Sequence, residues 1–532
     1  MDPKRHLLYF ILAGLFGIAI LTPQINFQSA ISVGDHGLNY YAFQRIANGD
    51  QLYKDFWWGY GPLSPYYYAA FYKFFGETMS SVLLGRMLLI YISGLFCYLT
   101  VACFSPPLLA LAASLWFWIY NPDFFYGYNH TGAFTVFLAL TYFLFSYYKT
   151  ARPRYIGYSF IVLFFLNMIR INMGLALLTG LIVTVFMTDK YVHRKNEQRN
   201  LVRNLACGLG ICIISGLIYW IMFSGLPAYA VMQCMPYFSK VYHSASSSIK
   251  YFMYFKFLYM ITSHSWRYIL TFGVVVTAII LTIRELKNPS TDKKIKTDIL
   301  FALGTISGLI VLVSHEFIMG YQLYRVNWTI PYQMVLFCLT IGFAVRKYTP
   351  NIRYAVILFI LFVALFDSFR YLNRVDKLKA PGQMILVENA QIFVGNQPEW
   401  IRTVEQTTYY LDSILEDDET FFALPYEPLY YYLTHRKSPT WHVLMMVGSE
   451  LNDIQEQQMI ETLKNKKIRY VLLSNRYRSK ELDMGELGVT HLKELAKYIN
   501  DHFQTEATFG FWDADPGWNF NHGLKILKRI EP

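Results

Sequence analysis

Apolar runs of about twenty residues, long enough to cross a hydrocarbon core as helices, recur over roughly the first 370 positions of this 532-residue chain. Each such run can bury itself in lipid without a partner, so their repetition predicts a polytopic membrane protein. Spans are expected at roughly 7–23, 81–103, 106–120, 131–148, 155–170, 172–188, 204–224, 265–283, 298–314, 328–345 and 353–372. Composition agrees: only 16% of residues are charged, against roughly 25% in soluble domains. The stretch 155–188 is too long for one helix and holds Asn167, Arg170 and Asn172. It is read as two short spans meeting at a polar turn. One tilted, kinked helix is the alternative, and it would invert everything downstream.

The net charge of +11 is distributed as an orientation signal and carries no nucleic-acid module. Lys4-Arg5, Lys149 with Arg152 and Arg154, Lys190 through Arg203, Arg284 through Lys296, and Arg346 through Arg353 all fall in segments that an inside amino terminus makes cytoplasmic. Cytoplasmic loops of membrane proteins carry such an excess of cations. Eleven spans then place the carboxy-terminal part outside. The opening Met1-Asp2-Pro3-Lys4-Arg5 and its apolar run imitate a signal peptide, but the run ends at Thr22-Pro23-Gln24 without a small-residue cleavage site. It is read as a retained span. The six cysteines form no metal-ligand spacing and no disulfide framework.

Two regions are expected: a transmembrane domain over 1–374, with its first outer loop at 24–80, and a soluble α/β domain over 375–532. In the latter, Phe421–Leu424, Tyr470–Leu473, Thr508–Trp512 and Lys525–Leu527 read as strands, and Gln455–Lys466 and Leu492–Phe503 as helices. No Gly-rich phosphate loop and no nucleophile elbow occurs in it. Residues 36–48 and 61–75 are rich in Tyr, Phe and Ala at helical spacing, which predicts amphipathic helices along the membrane interface. An ionisable group beside lipid is avoided unless it works. The same loop nevertheless holds Asp35, His36 and Asp55, with Asp35 directly after the first span in Gly34-Asp35-His36-Gly37.

The order of these pieces resembles a known family. An apolar span is followed by an acidic turn, a Tyr-rich helix, Asn48-Gly49-Asp50-Gln51-Leu52-Tyr53-Lys54-Asp55, Gly61-Pro62-Leu63, Phe74-Phe75-Gly76 and Arg86 in the next span. This is similar to the first outer loop of the membrane-embedded glycosyltransferases of the C superfold, in particular the protein O-mannosyltransferase and aminoarabinose transferase group. The likeness returns in Phe421-Phe422-Ala423-Leu424-Pro425-Tyr426, Leu429 through Leu433 and Arg436 through Thr440. Many members carry a second carboxylate where His36 stands, and a Lys before Pro-Pro-Leu where this chain has Tyr60-Gly61-Pro62-Leu63. The resemblance implies a transferase at the outer membrane face with a polyprenyl-phosphate-linked sugar as donor. The loop acid then activates the acceptor, directly or through a metal, and Asp35 occupies its position.

The residues have roles consistent with that chemistry. A hydroxyl attacking an anomeric carbon needs a base, for which Asp35 is the candidate, with helix capping as its alternative role. The departing phosphate needs cations or hydroxyl donors. Arg170 and Arg325 suit it as bidentate donors, with lipid-facing snorkelling as their alternative. Arg86, Tyr60 and Tyr324 are further candidates, with a buried structural role among the helices as the alternative for Arg86. His36 is a candidate donor contact, and Asp55 either fixes the loop or meets sugar hydroxyls. Asp123 and His130, in the second outer loop, are candidate ligands for a divalent cation. The expected partners are the lipid-linked donor, a lipid, glycan or protein acceptor, and membrane lipids. The expected place is the bacterial inner membrane. A lipid-linked glycan polymerase or ligase, and a transporter or flippase, are the competing readings. The acidic loop at the start of the chain disfavours the first, and the absence of an internal repeat disfavours the second.

Overall fold

The computed structural model describes residues 3–120, 127–193, 197–234, 266–289, 291–314, 330–347, 379–449, 451–479, 484–517 and 519–530, with scattered positions between 349 and 362. The chain forms two compact units. The first comprises 1–23, 86–221 and 241–373, and the second 24–85, 222–240 and 374–532.

The first unit is helical. Its main elements are α1 (Pro3–Leu21), most of Met79–Ala102, Pro107–Tyr120, Tyr128–Thr150, Arg154–Ile169, Ile171–Thr188, Glu197–Phe223, Trp266–Lys287, Lys293–Val313 and Ile330–Ala344. Among the described residues six helices are long and apolar enough to cross a membrane, and three more are apolar but shorter. The expected span at 353–372 lies largely outside the described residues. Small residues let these helices close on one another, as membrane packing requires. A Cβ on Gly94 would stand 2.1 Å from the Trp118 ring and one on Gly17 2.7 Å from it. The indole of Trp118 therefore fills the space between three helices, and its Nε1 donates to the Ile90 carbonyl (3.2 Å). Polar pairs add registry: Ser93 and Thr135 hydroxyls meet at 2.8 Å, and Asp298 accepts from Tyr148 (2.9 Å) and Lys149 (3.0 Å).

The break expected within 155–188 is present. Arg154–Ile169 ends and Ile171–Thr188 begins at Arg170, whose backbone is extended (φ −148°, ψ 96°). The reversal is tight because a Cβ on Gly174 would lie 1.8 Å from Asn167 Oδ1. Asn167 and Arg170, two of the polar residues that marked the break in the sequence, also help to build it.

The second unit is α/β. Four strands, Phe422–Leu424 (β4), Tyr470–Ser474 (β5), Phe503–Gly510 (β6) and Gly523–Arg529 (β7), form a sheet in the order β4-β5-β7-β6. β4 and β5 are parallel (Phe422 opposite Val471). β5–β7 and β6–β7 are antiparallel, with an irregularity between Thr505 and Ala507. All four expected strands are present, although β6 runs earlier than the expected Thr508–Trp512. The expected helices appear as Asp453–Asn465, opened by a capping box between Asn452 and Gln455, and Lys493–His502. Leu463, Val471, Leu495, Ile499 and Leu527 form the core they share with the sheet. A second, smaller sheet joins distant parts of the chain: Phe27–Gln28 (β1) runs parallel to Ile392–Val394 (β3), which pairs with Met384–Ile385 (β2). The side-chain amide of Asn396 locks this junction by accepting from Ile31 N (2.8 Å) and donating to Ile31 O (2.7 Å).

One expectation is corrected. Residues 36–48 do form a helix, α2 (Asp35–Ala47), but Tyr40, Tyr41 and Phe43 are fully buried in protein rather than set along a membrane surface. Tyr40 meets Tyr432 and Tyr41 meets Tyr431 (ring centroids 5.3 and 5.6 Å). Phe43 stacks on Tyr68 of the next helix, Leu63–Phe75 (α3), at 5.0 Å. Aromatic rings spaced for a helix face bury as readily against other rings as against lipid. α3 alone keeps an exposed apolar edge, with Phe74 82% and Phe75 62% exposed.

Candidate functional site

The acidic turn is built by close packing. A Cβ on Gly37 would stand 2.4 Å from the backbone nitrogen of Leu429, so the first turn of α2 rests directly on the short helix Pro428–Leu433. Leu429 N also donates to Val33 O (3.1 Å). A Cβ on Gly34 would lie 2.5 Å from the Tyr426 ring. Between these contacts Asp35, partly exposed, opens α2. Its Oδ1 accepts a hydrogen bond from the Tyr426 hydroxyl at 2.6 Å, across 391 positions of sequence. Burial and the neighbouring Asp35 carboxylate push the Tyr426 phenol well above its ordinary range, and Tyr60 adds to the same effect. Tyr426 therefore stays protonated and donates. The fold thus brings Asp35 and Tyr60 near Tyr426.

Behind Tyr426 lies a buried polar cluster. The Arg476 guanidinium, 3% exposed, stands over the Tyr426 ring with Cζ 6.0 Å from its centroid. Glu427, fully buried, accepts from Ser474 Oγ (2.5 Å). Burial pushes its carboxyl up to about 8, although Arg476 and Ser474 pull the other way. His522 meets the Tyr430 hydroxyl at 2.9 Å, and burial followed by Arg476 holds its imidazole down to about 3. His442, buried against Gln455 (2.9 Å), is likewise held down to about 3 by burial.

These opposed shifts give a pH signature. Glu427 keeps its proton in the folded state beyond the range where an unfolded carboxyl, near 4.5, has lost it. Its contribution to stability is complete below that range and is lost as pH rises through about 8. The two histidines act in the opposite sense, their contributions being complete above about 6.5 and lost as pH falls toward 3. Glu427→Gln removes only the alkaline loss. Its melting temperature relative to wild type should be raised most near pH ~9 and least near pH ~5, the change being at least about 1 kcal/mol, since each tenfold change in proton affinity is worth about 1.4 kcal/mol. Melting curves of the detergent-solubilised protein measure this, and a pH-independent difference contradicts it.

Other expected residues have different places. His36 is buried, and its Nδ1 accepts from Ser32 N (3.1 Å) while its own N–H donates to Ser32 Oγ (3.2 Å). It braces the turn that carries Asp35. Asp55 fixes the loop, its Oδ2 accepting from Gln51 N at 2.6 Å. In the first unit, Arg86 is buried with its guanidinium over the Tyr128 ring (5.6 Å). Arg170, 5% exposed, has Nη1 2.9 Å from His130 Nε2. That contact occupies Nε2 of His130, one of the two expected metal ligands. Asp123, Tyr324 and Arg325 lie outside the described residues. Among the described residues no three His, Cys, Asp or Glu side chains gather as a metal site.

Tyr426, Glu427, Arg476 and His522 had no role in the sequence reading. Tyr426 stood inside the segment Phe421–Tyr426 that carries the family likeness, but nothing local marks it as a partner of Asp35.

No protein-family model and no curated protein matches the sequence. Solved structures do. The chain is similar to the oligosaccharyltransferase of Archaeoglobus fulgidus in its apo form, at 12% identity over 98% of this chain and 76% of that one, with a TM-score of 0.54. It is also similar to ArnT from Cupriavidus metallidurans bound to undecaprenyl phosphate, at 10% identity over 99% of this chain and 98% of that one, with a TM-score of 0.52. Taken with the helical unit and the acidic turn, these matches show that the chain has the fold of the membrane-embedded glycosyltransferases of the C superfold.

Proposed function

We propose that this protein is an inverting glycosyltransferase that moves a sugar from a polyprenyl-phosphate donor to a lipid, glycan or protein acceptor at the outer face of the bacterial inner membrane. The observation that carries the reading is the Asp35 carboxylate. It is partly exposed at the start of α2 and held by Tyr426, on a turn with no room for a side chain at Gly34 or Gly37. The fold match supports it along nearly the whole chain, and one of the matched structures is bound to undecaprenyl phosphate.

In the proposed reaction Asp35 takes the proton of the acceptor hydroxyl as its oxygen bonds to the anomeric carbon. The bond from that carbon to the phosphate oxygen breaks, and polyprenyl phosphate leaves. A base positioned in this way contributes roughly 10²–10⁴ in rate. Arg170, with His130 beside it, is the described group offered for the phosphate, because an arginine presents planar donors to phosphate oxygens.

The eleven-span topology and the outer position of 375–532 belong to the same proposal and rest on the cations of the inner segments. A reporter fused after Pro532 should be active outside the cytoplasm; activity inside alone overturns that topology.

A second reading has support of its own. The Archaeoglobus match is an oligosaccharyltransferase by name, so a preassembled lipid-linked glycan is the alternative donor. Mass spectrometry of envelope glycans, lipids and proteins with and without the gene decides between the two. Loss of a single sugar from a product supports the proposal, loss of a block of sugars supports the alternative, and an unchanged envelope contradicts both.

A further inference from the structure

We propose that Tyr426 is a positioning residue for Asp35, fixing the carboxylate in the orientation from which it takes the acceptor proton. The inference rests on the reading of Asp35 as the base and goes beyond it by assigning work to the α/β part of the second unit. A side chain on the first turn of a helix has several rotamers open to it, and a base loses rate steeply when it is misplaced by even about an ångström. Something must hold it. The Tyr426 hydroxyl does so at 2.6 Å, and the ring behind that hydroxyl is itself confined. Gly34 allows it to lie flat on the backbone of the acidic turn. Arg476 stands over it, at 6.0 Å from Cζ to the ring centroid. The carbonyl of Pro425, the residue before it, accepts from Met445 N (2.8 Å). Tyr426 is 5% exposed, so its hydroxyl reaches Asp35 from a nearly closed protein environment, where a hydrogen bond to a charged group is strengthened.

The arrangement also gives the outer α/β part a reason to be in the same chain as the acid. Tyr426 lies two residues beyond the end of β4 at Leu424, and the sheet in which β4 pairs with β5 holds that end in place. Arg476 follows β5 in the same way. Two neighbouring strand ends thus deliver the residue that grips Asp35 and the cation that backs it.

Because Tyr426 would act through Asp35, the test is a double-mutant cycle on the full-length protein in membranes, following the product that deletion of the gene removes. Tyr426→Phe keeps the ring and removes only the hydroxyl. It should lower kcat by roughly tenfold to a hundredfold, the range of one charge-assisted hydrogen bond, with KM for donor and acceptor unchanged. Added to Asp35→Asn, it should cause little or no further loss, since its effect is exerted through the carboxylate. A residue that only supports the fold would instead lower thermal stability and multiply the loss in both backgrounds. Transfer by Tyr426→Phe at the wild-type rate, or full additivity with Asp35→Asn, overturns the inference while leaving Asp35 as the base. Wild-type transfer by Asp35→Asn removes the base and this inference together.

Discussion

Asp35→Asn is expected to lower the proposed sugar transfer by on the order of a hundredfold or more and to leave folding intact. The size follows from removing a general base from the transition state. The intact fold follows from the local geometry: an asparagine Oδ1 still accepts the Tyr426 hydroxyl that now meets Asp35 Oδ1 at 2.6 Å. The loss should appear in kcat rather than in donor affinity, because the proton moves only as the new bond forms. Initial rates with donor and acceptor varied separately, alongside melting curves of the same preparation, test both halves. A variant that melts like wild type and transfers at a comparable rate eliminates Asp35 as the base.

Gly37→Ala should damage both the packing of the acidic turn and the reaction. The added Cβ would stand 2.4 Å from Leu429 N and 2.7 Å from Leu429 Cα. Both are backbone atoms, and Leu429 N is already bonded to Val33 O, so no flexible side chain can yield. α2 must move away from Pro428–Leu433, and overpacking of this kind costs about 1–3 kcal/mol. The same movement shifts Asp35 relative to Tyr426. Transfer should therefore fall by roughly a hundredfold, as a displacement of about an ångström does in an active site, even at temperatures where the variant is folded. Gly157→Ala is the control, since nothing lies within 4 Å of its Cβ position; it should change stability by no more than about 0.5 kcal/mol. Equal behaviour of the two variants in melting and transfer assays contradicts this account of the turn.

Local sequence carried the elements whose cause is local. The strands at 422–424 and 470–474 follow from short apolar runs, and the helices at 453–465 and 493–502 from side-chain period. The break at Arg170 was legible because three polar side chains interrupt an apolar run. The fate of the aromatic helix was not legible. Tyr40, Tyr41 and Phe43 have the same spacing whether they meet lipid or protein, and only the arrival of Tyr431, Tyr432 and Tyr68 decided it. β1 and β3 are too short to show a period, and their pairing joins segments such as Ile31 and Asn396, 365 positions apart.

The candidate site divides in the same way. An isolated acid beside an apolar span is conspicuous in sequence because charge near lipid is costly, so Asp35 could be singled out from residues alone. His36 could not be interpreted there. Whether a loop histidine faces outward or braces its own turn depends on Ser32, four positions earlier, and on the closing of the turn around it. Tyr426, Glu427, Arg476 and His522 are ordinary residues in ordinary strands and loops, and burial alone gives them their character. The sequence by itself determined that the chain is helical in its apolar part and α/β toward its end, and that Asp35 stands apart, because period, apolar length and misplaced charge are properties of neighbouring residues. Only the tertiary structure decided that α2 is buried and that Tyr426 holds Asp35. Hydrogen bonds and desolvation depend on distance in space, and the two partners lie 391 residues apart in the chain.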